Sequence, residues 1–134
     1  MIELTVCVPV FNAADRIERA IRSVALDEVD GGVEILVCDD GSTDDTWAVL
    51  ERVADEIGQV RLIRNERNRG RPATRNALLE GARGRFLTWL DADDEKYPGM
   101  LRAQLDHLRR VEAEQGSDRL EGLFVYTNLS LIHI

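Results

Sequence analysis

Cysteine and histidine are nearly absent: two of each occur in 134 residues. Cys7 and Cys38 fall inside apolar runs, Leu4–Val10 and Val33–Cys38, without metal-ligand spacing, and read as buried, reduced thiols. His107 and His133 stand alone and belong to no nucleophile or metal pattern. Basic residues are also short, 17 Lys and Arg against 25 Asp and Glu, for a formal net charge of −8. That sign opposes the counterion release that drives nucleic-acid association, so free nucleic acid is excluded as an expected partner. No apolar run approaches the ~18–20 residues of a membrane span, and no signal-peptide pattern opens the chain. The expected location is therefore cytoplasmic, with the inner membrane face as the alternative. Glycine is missing where a dinucleotide fold needs it: the first strand is followed by Pro9-Val10-Phe11-Asn12-Ala13-Ala14, which argues against a dinucleotide-dependent oxidoreductase.

What is present is a globular composition, 44% hydrophobic and 31% charged, in a length suited to one domain that buries roughly two-thirds of its unfolded surface. Leu4–Val10 is a charge-free β-rich run closed by Pro9, as expected for a strand covered on both faces. Asn12 offers an N-cap, and Ile17, Ala20, Ile21 and Val24 follow at helical spacing, predicting a helix from about Ala13 to Leu26. Gly31-Gly32 turns the chain into a second buried strand, Glu34–Cys38, which ends in Asp39-Asp40-Gly41-Ser42-Thr43. Ser42 or Thr43 is expected to cap a helix with Trp47, Leu50, Val53, Ala54 and Ile57 inward and Gly58 as its stop. Val60–Arg64 alternates like a half-exposed strand nearer a sheet edge. A polar loop, Asn65–Arg71, leads to a helix opened by Pro72 and ended by Gly81. Phe86–Leu90 reads as a short buried strand, followed by an acidic loop and a helix from about Pro98 to Glu114, with Met100 or Leu101, Leu105, Leu108 and Val111 inward. After a turn at Gln115–Arg119, Leu123–Asn128 is a candidate last strand. Strands alternating with helices predict a mostly parallel, doubly wound sheet with right-handed crossovers, a Rossmann-like three-layer α/β/α arrangement. The final residues, Leu129 to Ile134, stop inside an apolar segment, so a domain over 1–128 is expected with 129–134 as a cut-short or non-native tail.

Three polar loops follow strands: Asp39-Asp40-Gly41-Ser42, Asn65–Arg71 and Asp91-Ala92-Asp93-Asp94. In a parallel sheet all three open on one edge, where such folds bind ligands. An Asp at a strand end, Asp39 or Asp40, can accept hydrogen bonds from a base or from ribose hydroxyls. Three carboxylates as close as Asp91, Asp93 and Asp94 repel, since unit charges about 4 Å apart interact at roughly 1 kcal/mol in water and several-fold more near protein. A hard ion, Mg²⁺ or Mn²⁺, needs one or two carboxylates and takes its other ligands from water and phosphate, and Asp91 with Asp93 on one side of an extended segment supplies them. An arginine on that edge, Arg71 or Arg75, suits a diphosphate. Taken singly, Asp39–Thr43 is equally a turn with a helix cap, Asp91–Asp94 a solvated loop, and the two arginines surface cations; the coincidence of all of them at successive strand ends carries the argument.

The runs Val8-Pro9-Val10-Phe11-Asn12, Val37 to Asp44, Asn68-Arg69-Gly70 with Ala73-Thr74-Arg75-Asn76, and Leu90 to Asp94 resemble, in order, the successive motifs of glycosyltransferase family 2. The similarity runs from about residue 3 to 112. It implies a GT-A fold, here truncated, whose N-terminal half binds a UDP-, GDP- or dTDP-linked sugar donor. It places Pro9 and Asn12 by the nucleotide, Asp40 on the base with Asp39 behind it, and Arg75 near the base or diphosphate. Asp91 and Asp93 match the family's D-x-D motif, with Asp93 the better candidate for direct contact with Mn²⁺ or Mg²⁺. The resemblance further implies metal-dependent, inverting transfer to a glycan, lipid or protein acceptor that the residues do not identify. The carboxylate base of such enzymes comes from a later motif with no match after Asp94, so the 134-residue chain is expected to hold the donor site and to be poorly active alone. A non-catalytic nucleotide-sugar-binding module is the alternative. A phospho-acceptor receiver domain fits less well, because it places acids after the first and third strands, whereas here they follow the second and fourth.

Overall fold

The computed structural model describes residues 1–116. Eight elements alternate: β1 (Leu4–Val10), α1 (Ile17–Ala25), β2 (Val33–Asp39), α2 (Thr46–Glu56), β3 (Val60–Arg64), α3 (Arg71–Gly81), β4 (Phe86–Trp89) and α4 (Met100–Gln115). The four strands form one parallel sheet in the order β3-β2-β1-β4. The chain thus winds outward to β3 and then crosses back over β1 to β4. This is the doubly wound order expected from the alternation of elements, with β3 at an edge as its pattern predicts.

Alternation along β1 and β2 divides the core between the two faces of the sheet. Leu4, Val6, Val8 and Val10 of β1, with Ile35 and Val37 of β2, pack against Ile17, Ala20, Ile21 and Val24 of α1, Leu50 and Val53 of α2, and Leu101 of α4. Cys7, Leu36 and Cys38 point the other way and pack on Leu78 of α3. Both faces are covered, which is why β1 and β2 are continuously apolar rather than alternating. Both cysteines are free and buried. Burial, reinforced by Glu34, pushes the Cys7 thiol up to about 12. Burial, reinforced by Asp40 and Asp39, pushes Cys38 up to about 11, so both stay protonated at neutral pH.

The helix starts differ from expectation. Helix α1 begins at Ile17, not Ala13, and α2 begins at Thr46 without a side-chain cap from Ser42 or Thr43. The reason is competition for the same polar groups. Asn12 has a positive φ of 48° and spends its side chain on the neighbouring loop, while the Ser42 hydroxyl is engaged by Asp39 and by the Asn12 N–H. Strand β4 ends at Trp89, and it is not buried as its apolar run predicts: Leu87 is 39% exposed, because among the described residues β4 is an edge of the sheet. Helix α4 buries Met100, Leu101, Gln104 and Leu105, whereas Leu108 and Val111 are only half-buried. The candidate strand Leu123–Asn128, the domain limit at 128 and the tail 129–134 lie outside the described residues.

Candidate functional site

At the carboxyl ends of the strands the loops after β1, β2 and β3 are tied into one ledge. Asn12 Oδ1 accepts from the N–H of Thr43 at 2.8 Å and of Asp44 at 3.3 Å, and the Asn12 N–H donates to Ser42 Oγ at 2.9 Å. The Ala13 N–H donates to Thr46 Oγ1 at 2.9 Å, and the Ala14 N–H to Asp44 Oδ2 at 3.4 Å. The Thr46 hydroxyl and N–H also bond Asp44, which is held below the ordinary carboxylate range chiefly by that hydroxyl. Of these donors, the Thr46 N–H is one that the N-terminus of α2 leaves open, and Asp44 takes it up.

Asp40 fastens the third loop. Its Oδ1 accepts from Asn65 Nδ2 at 3.0 Å and the Arg69 N–H at 2.8 Å, and its Oδ2 from the Gly70 N–H at 3.0 Å. Burial pushes this carboxyl up, but the hydrogen bonds from Arg69, Asn65, Gly70 and Thr74 outweigh it and hold the group below its usual value. Gly41 makes the approach possible. Its φ is +70°, and a Cβ there would lie 2.4 Å from the Arg67 carbonyl carbon and 2.5 Å from the Asn68 nitrogen, so a side chain has no room. Asp39 is fully buried beneath: Oδ1 accepts from the Ser42 N–H at 3.2 Å and from its hydroxyl, while Oδ2 has no hydrogen-bond partner among the described residues.

The loop after β4 is built otherwise. Asp91 and Asp93 are exposed and Asp94 half-buried, and one ligand oxygen from each lies within 4.8 Å of the others. The backbone of this segment is fixed at its ends, by the Asp94 N–H on Asp91 O at 3.0 Å and the Lys96 N–H on Ser23 Oγ at 3.0 Å. Lys96 itself is buried, with Nζ 3.4 Å from Thr88 Oγ1. Desolvation pulls its pKa down, against the opposing pull of Asp94 and Asp27. A compact set of hard carboxylate oxygens with free lone pairs has the chemistry of a Mg²⁺ or Mn²⁺ site.

Between ledge and acidic loop lies a cleft of about 530 Å³. The end of β1 lines its floor with Pro9, Val10 and Phe11, β2 contributes Asp40, and the β4 loop contributes Asp91 and Asp93. Asn68 and the first turn of α3, with Arg71, Thr74 and Arg75, form one side, and Arg16 reaches in from the start of α1. Arg75 is set by Trp89: its guanidinium carbon lies 5.1 Å from the ring centroid, within cation–π range.

Of the residues singled out by sequence, Pro9, Asp40, Arg75, Asp91 and Asp93 thus meet in one cleft. Asn12 and Asp39 sit outside its lining and brace the loops that form it. Sequence reasoning missed Arg16, Thr74, Asn65 and Lys96. Arg16 had a local signal, since it immediately precedes Ile17 at the N-terminus of α1, where the helix dipole disfavours a cation. Thr74 stood within the Ala73–Asn76 motif without a role of its own, whereas Asn65 had no signal, because its partner Asp40 is 25 residues away.

Comparison with known proteins accords with this geometry. The profile of Glycosyl transferase family 2 matches residues 5–116. A succinoglycan biosynthesis protein, ExoO of Rhizobium meliloti, is 40% identical over 119 residues, covering 89% of this chain and 33% of that protein. Among solved structures, S. aureus TarS 1-349 in complex with UDP superposes with a TM-score of 0.74 at 27% identity, covering 81% of this chain and 32% of that one. The mannosyltransferase PcManGT from Pyrobaculum calidifontis, in complex with GDP-Man and Mn²⁺, gives a TM-score of 0.63 at 28% identity, covering 69% and 28%. The chain spans about a third of the length of these proteins.

Proposed function

The chain belongs to glycosyltransferase family 2, and from that premise we propose that it is the donor-binding part of an enzyme that moves a sugar from a nucleoside diphosphate to an acceptor. One observation carries the proposal: Asp40, Arg75, Asp91 and Asp93 converge on a single cleft at the carboxyl ends of parallel strands. A cleft of about 530 Å³ is of a size to take a nucleotide. UDP is the first donor nucleotide to test, because the TarS neighbour binds it, with GDP and dTDP as alternatives.

Each residue has a role that its setting suits. Pro9 offers a flat apolar floor to the nucleoside. Asp40, fixed by Asn65 and by the Arg69 and Gly70 N–H groups, presents a positioned carboxylate at the cleft wall to an N–H of the base. Asn12 and Asp39 hold that wall in place. Arg75, steadied by Trp89, donates to phosphate oxygens in the fork geometry that guanidinium favours. Asp91 and Asp93 would hold Mn²⁺ or Mg²⁺, with Asp93 in direct contact, and the three-carboxylate cluster fits such an ion. When bound, that ion supplies Lewis-acid compensation for the charge left on the departing diphosphate. The reaction is proposed to invert the anomeric centre, and the acceptor, glycan, lipid or protein, is unassigned.

Isothermal titration of the purified chain with UDP, GDP and dTDP, with and without Mn²⁺, tests the reading. Binding of one of the three, strengthened by Mn²⁺, is expected. A folded chain with no metal-dependent affinity for any of them overturns it.

A further inference from the structure

We propose that Arg16 is a further donor-binding residue of this cleft, gripping the diphosphate from the α1 side, opposite Arg71 and Arg75; the inference rests on the donor-site reading above. Three observations support it. The first is placement. Arg71 and Arg75 belong to α3, which covers one face of the sheet, whereas Arg16 stands at the start of α1 on the other face, so the arginines reach the cleft from both sides of the strand ends.

The second is local cost. Arg16 occupies the N-cap position of α1, where the aligned peptide dipoles disfavour a cation, and it makes no capping bond from its side chain. Its ion partner is Asp15, at 3.4 Å with a side chain 83% exposed, a pairing too solvated to account for the placement. An anion in the cleft would offset that cost.

The third is charge balance. The lining holds three guanidinium groups, Arg16, Arg71 and Arg75, and three carboxylates, Asp40, Asp91 and Asp93, and is neutral as it stands. A divalent cation on Asp91 and Asp93 leaves two positive charges, which match the two negative charges of a nucleoside diphosphate sugar. Without Arg16 half of that surplus is gone. The Arg16 guanidinium has a planar donor fork suited to the non-bridging oxygens of a diphosphate. Since the side chain is half-exposed and outside the apolar core, its replacement leaves the fold intact.

The test is calorimetric titration of UDP and of inorganic pyrophosphate, each with Mn²⁺, into the wild-type chain, R16Q and R16K, with thermal melting of each as the folding control. R16Q is expected to lose about tenfold in affinity for both ligands with an unchanged melting point, and R16K, which keeps the charge, to lose only about threefold. Unchanged affinity of R16Q for both ligands overturns the assignment, as does an equal loss in R16K and R16Q. Wild-type binding of pyrophosphate that depends on Arg16 but gains nothing from the nucleoside overturns the donor-site reading while the assignment of Arg16 stands. A wild-type chain that binds neither ligand overturns both.

Discussion

The two ends of the sheet treat their acidic residues in opposite ways. At the amino end Glu34 is buried and fully engaged: Oε1 accepts from the Thr5 hydroxyl at 2.7 Å and the Arg83 N–H at 2.7 Å, and Oε2 pairs with Arg61 at 3.3 Å. Thr5 Oγ1 in turn accepts from the Gly84 N–H at 2.8 Å, and Arg61 also bonds the Gly81 carbonyl oxygen. The end of α3, the start of β4 and both inner strands are thereby closed around one carboxylate. At the carboxyl end Asp40 and Asp44 are bonded within the loops, but other acids are left open: Asp91 and Asp93 are exposed and crowded together, and Asp39 keeps an oxygen with no partner among the described residues. A buried carboxylate that several internal donors and a cation hold in place ties a fold together, whereas a cluster with spare lone pairs and mutual repulsion is prepared for a cation or a donor that arrives later.

The largest expected effect breaks the closed end. Glu34→Ala leaves the Thr5 hydroxyl, the Arg83 N–H and the Arg61 guanidinium without their acceptor, and is expected to cost about 3 kcal/mol in urea denaturation, as for other broken buried pairs. A cost under about 0.5 kcal/mol would place Glu34 with the solvated surface acids.

The next effect reads the open end. Asp93→Ala removes charge repulsion and no internal bond, so stability should hold within about 0.5 kcal/mol. The Mn²⁺ enhancement of UDP binding should instead fall by roughly ten- to a hundredfold. An unchanged Mn²⁺ response in titration would remove Asp93 from the metal site.

Asp40 belongs to both ends in character, bonded within the fold yet lining the cleft, and its replacement sharpens the contrast. Asp40→Asn turns an acceptor at the Gly70 N–H into a donor and is expected to cost roughly 1–2 kcal/mol while weakening nucleoside as well as diphosphate binding. Because the native Asp40 carboxyl titrates below its usual value, its contribution is present above the ordinary carboxylate range and is lost as pH falls below about 4. The stability gap between wild type and the variant should therefore close in acid; a gap that widens there would contradict the bonding described.

The smallest effect tests the support of Arg75. Trp89→Leu keeps an apolar side chain against Leu78 but removes the ring beneath the guanidinium. A loss of about 0.5–1 kcal/mol in UDP affinity is expected, with uridine affinity unchanged. Equal loss for both would make Trp89 a packing residue alone.

The difference between the ends also explains what could be read in advance. The order of elements, both faces of the sheet and the acids at strand ends were legible because each is written in contiguous residues: β1 as an unbroken apolar run, α1 as Ile17, Ala20, Ile21 and Val24, the acidic loop as Asp91 to Asp94. The helix starts were misjudged because Asn12 and Ser42 are cap formers by type, yet each found a better partner about thirty residues away. Strand β4 looked buried because its composition is apolar, but burial depends on which strands flank it. The closed Glu34 cluster left no trace at all, since Thr5, Glu34, Arg61 and Arg83 share no local pattern.

By itself, then, the sequence determined a parallel α/β sheet, a carboxyl edge rich in aspartate and the family to which the chain belongs, because periodicity, strand-end motifs and their order are local properties of the chain. Only the tertiary structure decided that Arg16 joins Arg71 and Arg75 around one cleft, that Asp40 holds the Asn65–Gly70 loop, and that Asn12 braces a neighbouring loop instead of capping its own helix. Hydrogen bonds and charge pairs act through space over a few ångströms, and which groups come within that reach is fixed by how the strands are ordered, not by how the residues are spaced.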